Sequence, residues 1–594
     1  MTLRATAKSR SGRLAQLNDD GTGPGLSPGT ERWRLLLANW PAKVVLFVCA
    51  CVLVILVIYP LVSLLWGSFT LAHAGDVGIA NYTRVFLEPR IYASLRNTIY
   101  IGAGSTIGSL LIGLPIAWVI SRTNIRGRGL FKILTFIAFM TPAYQGAVAY
   151  MMLAGPNAGY LNTVIASVFG LERGPFNIFS IWGIILVTTI NTFPYVVFLC
   201  AAALSSVDGR LEDSARILGA SKFRILTGIT WKLVTPAVLS SSLLVFVHSI
   251  SLFGSHAFLG LPRGIYTLPT QIYVMFGFPP DYAGAASLSM ILVLITVAIL
   301  FVQRWYLRKR SYVTVAGKST RPTITHLGPA GRWGMTLFCH AVFALAVYLP
   351  VAVLVWTSLS NTRVLRLSLD TLTLDNYRAV LFDVGVTQRG LQNSTWLGIS
   401  AATVGMVLGG LIAYMILRLR LRGVRLLDYV SLIPFGLPGI VLAVALILAW
   451  IRVPLPIYAT AWILLIAYLT KTIPLAVRAA DSSIRQIDPS LESAARIAGA
   501  SWLRSIVDIT LPLMRSGLIA AWCLIFIQSF QELAATILLF SAGRETAAVA
   551  IFQRVEDGRM LQVAALSVIV SLVILVVVGV ANRLSGGRVM ARLD

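Results

Sequence analysis

Eight polar residues stand inside apolar runs, where a side chain must find a partner or serve a passing solute: Asn191, His248, Ser249, His256, Lys471, Gln528, Ser529 and Glu532. Polar groups are expensive in hydrocarbon, so such residues turn toward one another or toward a polar route. They are read as the candidate lining of a solute path. Lys471 and Glu532 are expected to pair across two helices, because either charge alone would be costly there. A Lys471 that snorkels to an interface, or a purely structural bridge, are the alternatives. His248 and His256 are read as packed, hydrogen-bonded residues. No cluster has metal-ligand spacing, so no metal site is assigned, and no catalytic residue either.

A second pattern is a stretch that occurs twice. Leu211-Glu212-Asp213-Ser214-Ala215-Arg216-Ile217-Leu218-Gly219-Ala220-Ser221 reappears as Leu491-Glu492-Ser493-Ala494-Ala495-Arg496-Ile497-Ala498-Gly499-Ala500-Ser501, 280 positions later and without a gap. Each copy reads as a short helix, a glycine break and a second helix. Asp208 and Asp488 are N-cap candidates, and Glu212 and Glu492 sit in the first turn, where an acid suits the helix dipole. The small residues Ala215, Ala494 and Ala495 allow close approach of another chain. Such a helix can dock in a groove on a partner.

Composition decides the environment. Of 594 residues, 57% are apolar and only 12% charged, against roughly 25% charged in soluble domains. The formal charge of +26 raises the idea of nucleic acid, but the bases flank apolar runs: Arg122, Arg126, Arg128 and Lys132; Arg304, Arg308, Lys309 and Arg310; Arg418, Arg420, Arg422 and Arg425. These read as cytoplasmic anchors facing anionic lipid, which excludes nucleic acid as a partner. Cys49, Cys51, Cys200, Cys339 and Cys523 lie in apolar runs and read as small apolar residues.

The fold class follows: an all-α integral membrane protein. With about 20 apolar residues per span, twelve spans are expected. The first six fall near 43–66, 95–121, 131–154, 179–204, 237–260 and 284–305. The others fall near 334–358, 392–417, 428–451, 459–482, 517–540 and 560–583. The domain reading is a cytoplasmic tail (1–42), a first repeat (43–305), a cytoplasmic linker (306–333), a second repeat (334–583) and a tail (584–594). Asn81-Tyr82 and Asn376-Tyr377, Asn97 and Asn393, Pro142 and Pro438, and Thr192/Pro194 and Thr472/Pro474 support the duplication. An even number of spans per half makes the repeats parallel, with both termini and both doubled stretches on one side.

The doubled stretch resembles the cytoplasmic loop motif of ABC importer permeases, which reads Glu-Ala-Ala, three residues, Gly. Glu492, Ala494 and Gly499 match it, and Leu511-Pro512 matches its closing Leu-Pro. The first copy departs: Asp213-Ser214 replaces the alanines and Trp231-Lys232 the Leu-Pro. The resemblance implies a type I importer permease of two parallel six-helix repeats in a bacterial inner membrane. It implies that Glu212, Asp213, Ala215, Gly219, Glu492, Ala494, Ala495 and Gly499 belong to coupling helices docking two ABC ATPase subunits, and that a periplasmic binding protein delivers the solute. No Gly-x-x-x-x-Gly-Lys-Ser/Thr loop occurs, so ATP and magnesium are expected on the partners and no cofactor on this chain.

Fused permeases of this kind resemble the ferric-iron, thiamine and 2-aminoethylphosphonate branches. Leu153–Gly159, Gly174–Asn177 and Phe258–Pro262 with Tyr266 look most like ferric-iron members. Ferric iron is the leading solute, with thiamine, 2-aminoethylphosphonate or a polyamine as alternatives. An ion-coupled secondary carrier is the other class, supported by the buried charges but leaving the two matched loops unexplained.

Overall fold

The computed structural model describes residues 40–70, 77–308, 324–362, 369–383, 385–418 and 423–584. The expected tails and linker therefore fall largely outside the described residues, although helix begins at Trp40, inside the first expected tail. The chain divides into two compact units, Met1–Val52 and Leu53–Asp594. Every regular element among the described residues is helical, and extended backbone pairs only at three isolated bridges.

The first repeat holds α1 (Lys43–Phe69), α2 (Pro89–Arg122), α3 (Arg128–Met140), α4 (Ala143–Ala154), α5 (Ile181–Ser206), α6 (Gly209–Ile217), α7 (Phe223–Ser251), α8 (Gly254–Gly260) and α9 (Tyr282–Gln303). The second holds α10 (Pro329–Leu359), α11 (Gly385–Arg418), α12 (Val424–Gly436), α13 (Gly439–Trp450), α14 (Ala461–Ile484), α15 (Pro489–Ile497), α16 (Ile506–Phe530) and α17 (Met560–Leu584). Ten of these are long and apolar enough to cross a membrane, and twelve spans result if each bent pair counts as one.

Those bent pairs correct the expectation of continuous spans at 131–154 and 428–451. α3 and α4 meet at 97°, α12 and α13 at 114°. Pro142 and Pro438 stand at the breaks. A proline removes an amide donor and forces the preceding residue out of helical geometry, and Thr141 is extended accordingly (ψ 122°). Two more spans are shifted. The fifth and eleventh start earlier than expected, at Phe223 and Ile506, and stop at Ser251 and Phe530. His256 therefore lies on the separate helix α8, and Glu532 in the turn after α16.

The repeats match in detail. Asn81 Nδ2 donates to the carbonyls of Ser68 (3.2 Å) and Thr70 (2.8 Å), and Asn376 Nδ2 to those of Ser358 (3.0 Å) and Ser360 (2.7 Å). Tyr82 and Tyr377 each bond a serine hydroxyl at 2.7 Å. α2 packs on α5 as α11 packs on α14. Both contacts use a glycine: a Cβ on Gly113 would stand 2.7 Å from Val196 Cβ, and one on Gly409 2.5 Å from Ala476 Cβ. Small residues let membrane helices approach closely enough for dispersion to hold them.

The halves also exchange their leading helices. The Tyr59–Phe69 part of α1 packs on α13, where Tyr59 Oη donates to Ala449 O at 2.6 Å. In return α10 packs against α4, where Tyr150 Oη donates to Leu345 O at 2.9 Å. The backbone around Thr325 joins Arg122 at the end of α2 (2.7 Å), so α10 starts at the end of the bundle that carries α6. α10 and α11 each cross once, which returns the chain at Arg418 to that same end.

Crowding at the glycine contact is testable. Gly409→Val is expected to cost about 1–3 kcal/mol, whereas a Cβ on neighbouring Gly410 meets nothing within 4 Å. Thermal unfolding of the purified chain should show a lowered midpoint for Gly409→Val and none for Gly410→Val.

Candidate functional site

The doubled stretch folds alike in both copies. Asp208 Oδ1 accepts from Arg210 N at 3.0 Å and Asp488 Oδ1 from Ser490 N at 2.9 Å, so both aspartates cap their helices. The Ser490 amide holds the Asp488 carboxyl below the usual carboxylate range. At the other end the chain turns through left-handed glycines, Gly219 (φ 81°) and Gly499 (φ 91°). Gly219 N bonds Arg216 O and Ala220 N bonds Ala215 O; Gly499 N bonds Arg496 O and Ala500 N bonds Ala495 O. This paired closure satisfies carbonyls that a helix end leaves free, and it needs a residue at ease with positive φ.

Glu212 and Glu492 turn inward. Glu212 receives Arg122 Nη1 at 3.2 and 3.3 Å and Thr230 Oγ1 at 2.8 Å. Arg122 also donates to the carbonyls of Leu204 (2.8 Å) and Val207 (3.3 Å). Glu492 accepts from Thr510 Oγ1 and Tyr414 Oη, each at 2.9 Å, and lies 3.4 Å from Arg418 Nε. Arg418 Nη2 donates to Ile487 O at 2.7 Å. Each carboxylate thus locks its loop helix to the end of α2 or α11 and to the start of α7 or α16.

Arg122 and Arg418, read from sequence as lipid-facing anchors, are instead mostly buried parts of this lock. Their separation of 296 positions, the same as that of Asn97 and Asn393, was the signal. Thr230 and Thr510, 280 apart like the glutamates, carried another.

The opposite face of each loop helix is open. Ile217 and Leu218 are each 86% exposed and Ile497 88%. Asp213, Ala494 and both glycines are exposed as well, and Ala215 and Ala495 half-buried. The site residues therefore divide into two inward anchors and six on or beside an uncovered surface.

The expected path residues divide too. Asn191 Nδ2 donates to Thr141 O at 3.1 Å, satisfying the carbonyl freed by the α3–α4 break. Its counterpart Lys471 instead pairs with Glu532 Oε2. His248 packs its ring against Tyr195, centroids 5.1 Å apart. His256 is fully buried with Nδ1 3.3 Å from Thr267 Oγ1. Ser249 and Ser529 are buried, and Gln528 is exposed. Among the described residues no group of three or more His, Cys, Asp or Glu could hold a metal ion.

Removing one partner of a buried ion pair costs about 3–5 kcal/mol. Arg122→Met should therefore loosen α6 and raise hydrogen exchange of the amides in 209–217 while those of α15 keep their protection, read by mass spectrometry on the full chain.

Comparison with known proteins closes the assignment. The family model described as "Binding-protein-dependent transport system inner membrane component" matches residues 107–312 and again 405–588, together more than half of the chain. The ferric transport system permease protein FbpB of Actinobacillus pleuropneumoniae is 27% identical over 84% of this chain and 72% of its own length. A second relative, the Fe(3+)-transport system permease protein FbpB 2 of Haemophilus influenzae, is 23% identical over 83% of this chain and 90% of its own. The 2-aminoethylphosphonate transport system permease protein PhnU of Salmonella typhi is 28% identical over 39% of this chain and 79% of its own. A solved bacterial ABC transporter that imports alginate aligns over 47% of this chain and 99% of its own, at 17% identity and TM-score 0.41. Two copies of one family unit in a single polypeptide place the chain among the inner-membrane components of binding-protein-dependent transport systems.

Proposed function

We propose that the chain is the permease subunit of an ATP-driven importer and that two ATPase subunits dock on α6 and α15. The observation that carries this is the doubled helix with one face locked inward by a buried carboxylate and the other bare, ending in an apolar tip. Isolated apolar side chains on a surface mean little. Two similar exposed tips at matched positions on one end of the bundle suit a repeated partner. That end is cytoplasmic in this reading, with both termini on the same side, and the binding protein engages the opposite end.

The lock explains how force enters the membrane. Closure of the ATPase pair displaces α6 and α15 as rigid pieces. Through Glu212 the motion reaches α2 and α7, and through Glu492 it reaches α11 and α16. Each of these pairs packs helix on helix, so each repeat moves as a body, and the exchanged helices α1 and α10 join the two motions. Rocking of two halves about a fixed route is alternating access. ATP and magnesium act on the partners.

Ferric iron is the solute we propose, because three relatives that span most of this chain bear the names of ferric transport permeases. The PhnU relative favours 2-aminoethylphosphonate as the second reading. A purified complex tested for ATP hydrolysis stimulated by solute-loaded binding protein separates ferric ion, 2-aminoethylphosphonate, thiamine and polyamines. Gly499→Pro, which cannot adopt the left-handed turn, and Glu492→Arg, which puts like charge beside Arg418, should abolish solute uptake while the chain remains in the membrane. Normal transport by both variants would defeat the docking claim. Ile217→Asp and Ile497→Asp should each weaken ATPase co-purification more than tenfold, about 1.4 kcal/mol, without changing hydrogen exchange in α6 or α15.

A further inference from the structure

The Lys471–Glu532 pair sits at positions where the repeats differ. Its first-repeat counterparts are Asn191, which is spent on a backbone carbonyl, and Leu252. Lys471 is the eleventh residue of the 24 in α14, deep in the span. The pair lies beside the junction of the halves: a Cβ on Gly254 would stand 2.9 Å from Tyr144 Cβ and 3.3 Å from Leu533 Cδ2. His248 and Tyr144, both from the first repeat, are within electrostatic reach of Glu532, and His248 also of Lys471.

The two charges are unequally available. Glu532 has an 8% exposed side chain, and both its oxygens are engaged, Oε1 by Ala535 N at 3.0 Å and Oε2 by Lys471. Lys471 is 34% exposed, and its ammonium has three donors, of which Glu532 takes one. Neutral polar groups stand near Glu532. Gln528 is exposed one turn before Glu532, and Tyr144 Oη and Ser529 Oγ are buried without a hydrogen-bond partner. A solute arriving here meets the ammonium more readily than the carboxylate, whose two oxygens are both engaged.

We propose that the solute passes this point as an anion, with Lys471 as the residue that attracts it: a phosphonate, or a ferric ion carried in an anionic chelate rather than bare. This rests on the importer reading and narrows its substrate class. A bare trivalent cation would meet the more exposed ammonium first, because the carboxylate is buried and already engaged, and among the described residues no group of three or more His, Cys, Asp or Glu could hold it.

The test uses the full chain reconstituted with its ATPase and binding protein in proteoliposomes. Uptake of ferric citrate, 2-aminoethylphosphonate and thiamine is measured for wild type, Lys471→Arg, Lys471→Gln and the double variant Lys471→Gln/Glu532→Gln, each normalised to protein in the membrane. The double variant leaves no buried charge unpaired, so folding is preserved. Lys471→Gln and the double variant should lose about tenfold in uptake of the anionic probes, the size of one charge-assisted hydrogen bond, while Lys471→Arg keeps most of it. Recovery in the double variant would make Lys471 a structural partner only and overturn the proposal, as would wild-type preference for thiamine. A second readout needs no transport: citrate or inorganic phosphate should slow modification of Lys471 by an amine reagent, and choline chloride at equal ionic strength should not. Absence of protection overturns the proposal. Protection without ATP-driven uptake of any probe by wild type would sink the importer reading alone.

Discussion

A carboxylate buried against an arginine turns two surface loops into rigid parts of the membrane body. Without the Glu212 and Glu492 locks, α6 and α15 would be nine-residue helices held by a cap and a glycine turn, and helices that short are marginal on their own. With them, a push on the exposed tip is a push on the ends of two long helices. The burial is costly unless every lone pair is met. Each glutamate is met by a threonine hydroxyl and an arginine, and Glu492 also by the Tyr414 hydroxyl.

Duplication supplies two such locks, and divergence gives them different work around a common frame. The frame is set by matched residues that act on the backbone: Asn81 and Asn376, which bond carbonyls, the close glycine contacts at Gly113 and Gly409, and the prolines that break α3 from α4 and α12 from α13. Where the frame is indifferent, the copies part. Asn191 mends a broken helix, while its counterpart Lys471 carries a charge. The doubled scaffold therefore carries an undoubled ion pair beside the junction of its halves.

Much of this was legible in the residues. The 280 and 296 offsets exposed the repeat, and the apolar runs exposed the spans, because burial in lipid leaves a compositional trace. Two things were hidden. Hydropathy does not register a dihedral, so Thr141-Pro142 and Leu437-Pro438 read as interruptions too small to bend a span. Charge near a span end already has an explanation in lipid anchoring, so Arg122 and Arg418 looked accounted for, and their partners Glu212 and Glu492 lie 90 and 74 positions further along the sequence. Asn191 carries a bond that hydropathy does not register: its side-chain amide donates to the Thr141 carbonyl at the α3–α4 break.

The central claim is that the bare tips of α6 and α15 face the cytoplasm and are covered by a partner ATPase. Replacing Ile497 by cysteine in a chain otherwise free of cysteine, and labelling with a membrane-impermeant maleimide, tests it directly. Labelling in inverted vesicles, none in right-side-out vesicles, and protection by added ATPase subunits is the predicted result. Labelling from the periplasmic side, or no protection by the ATPase, would contradict it.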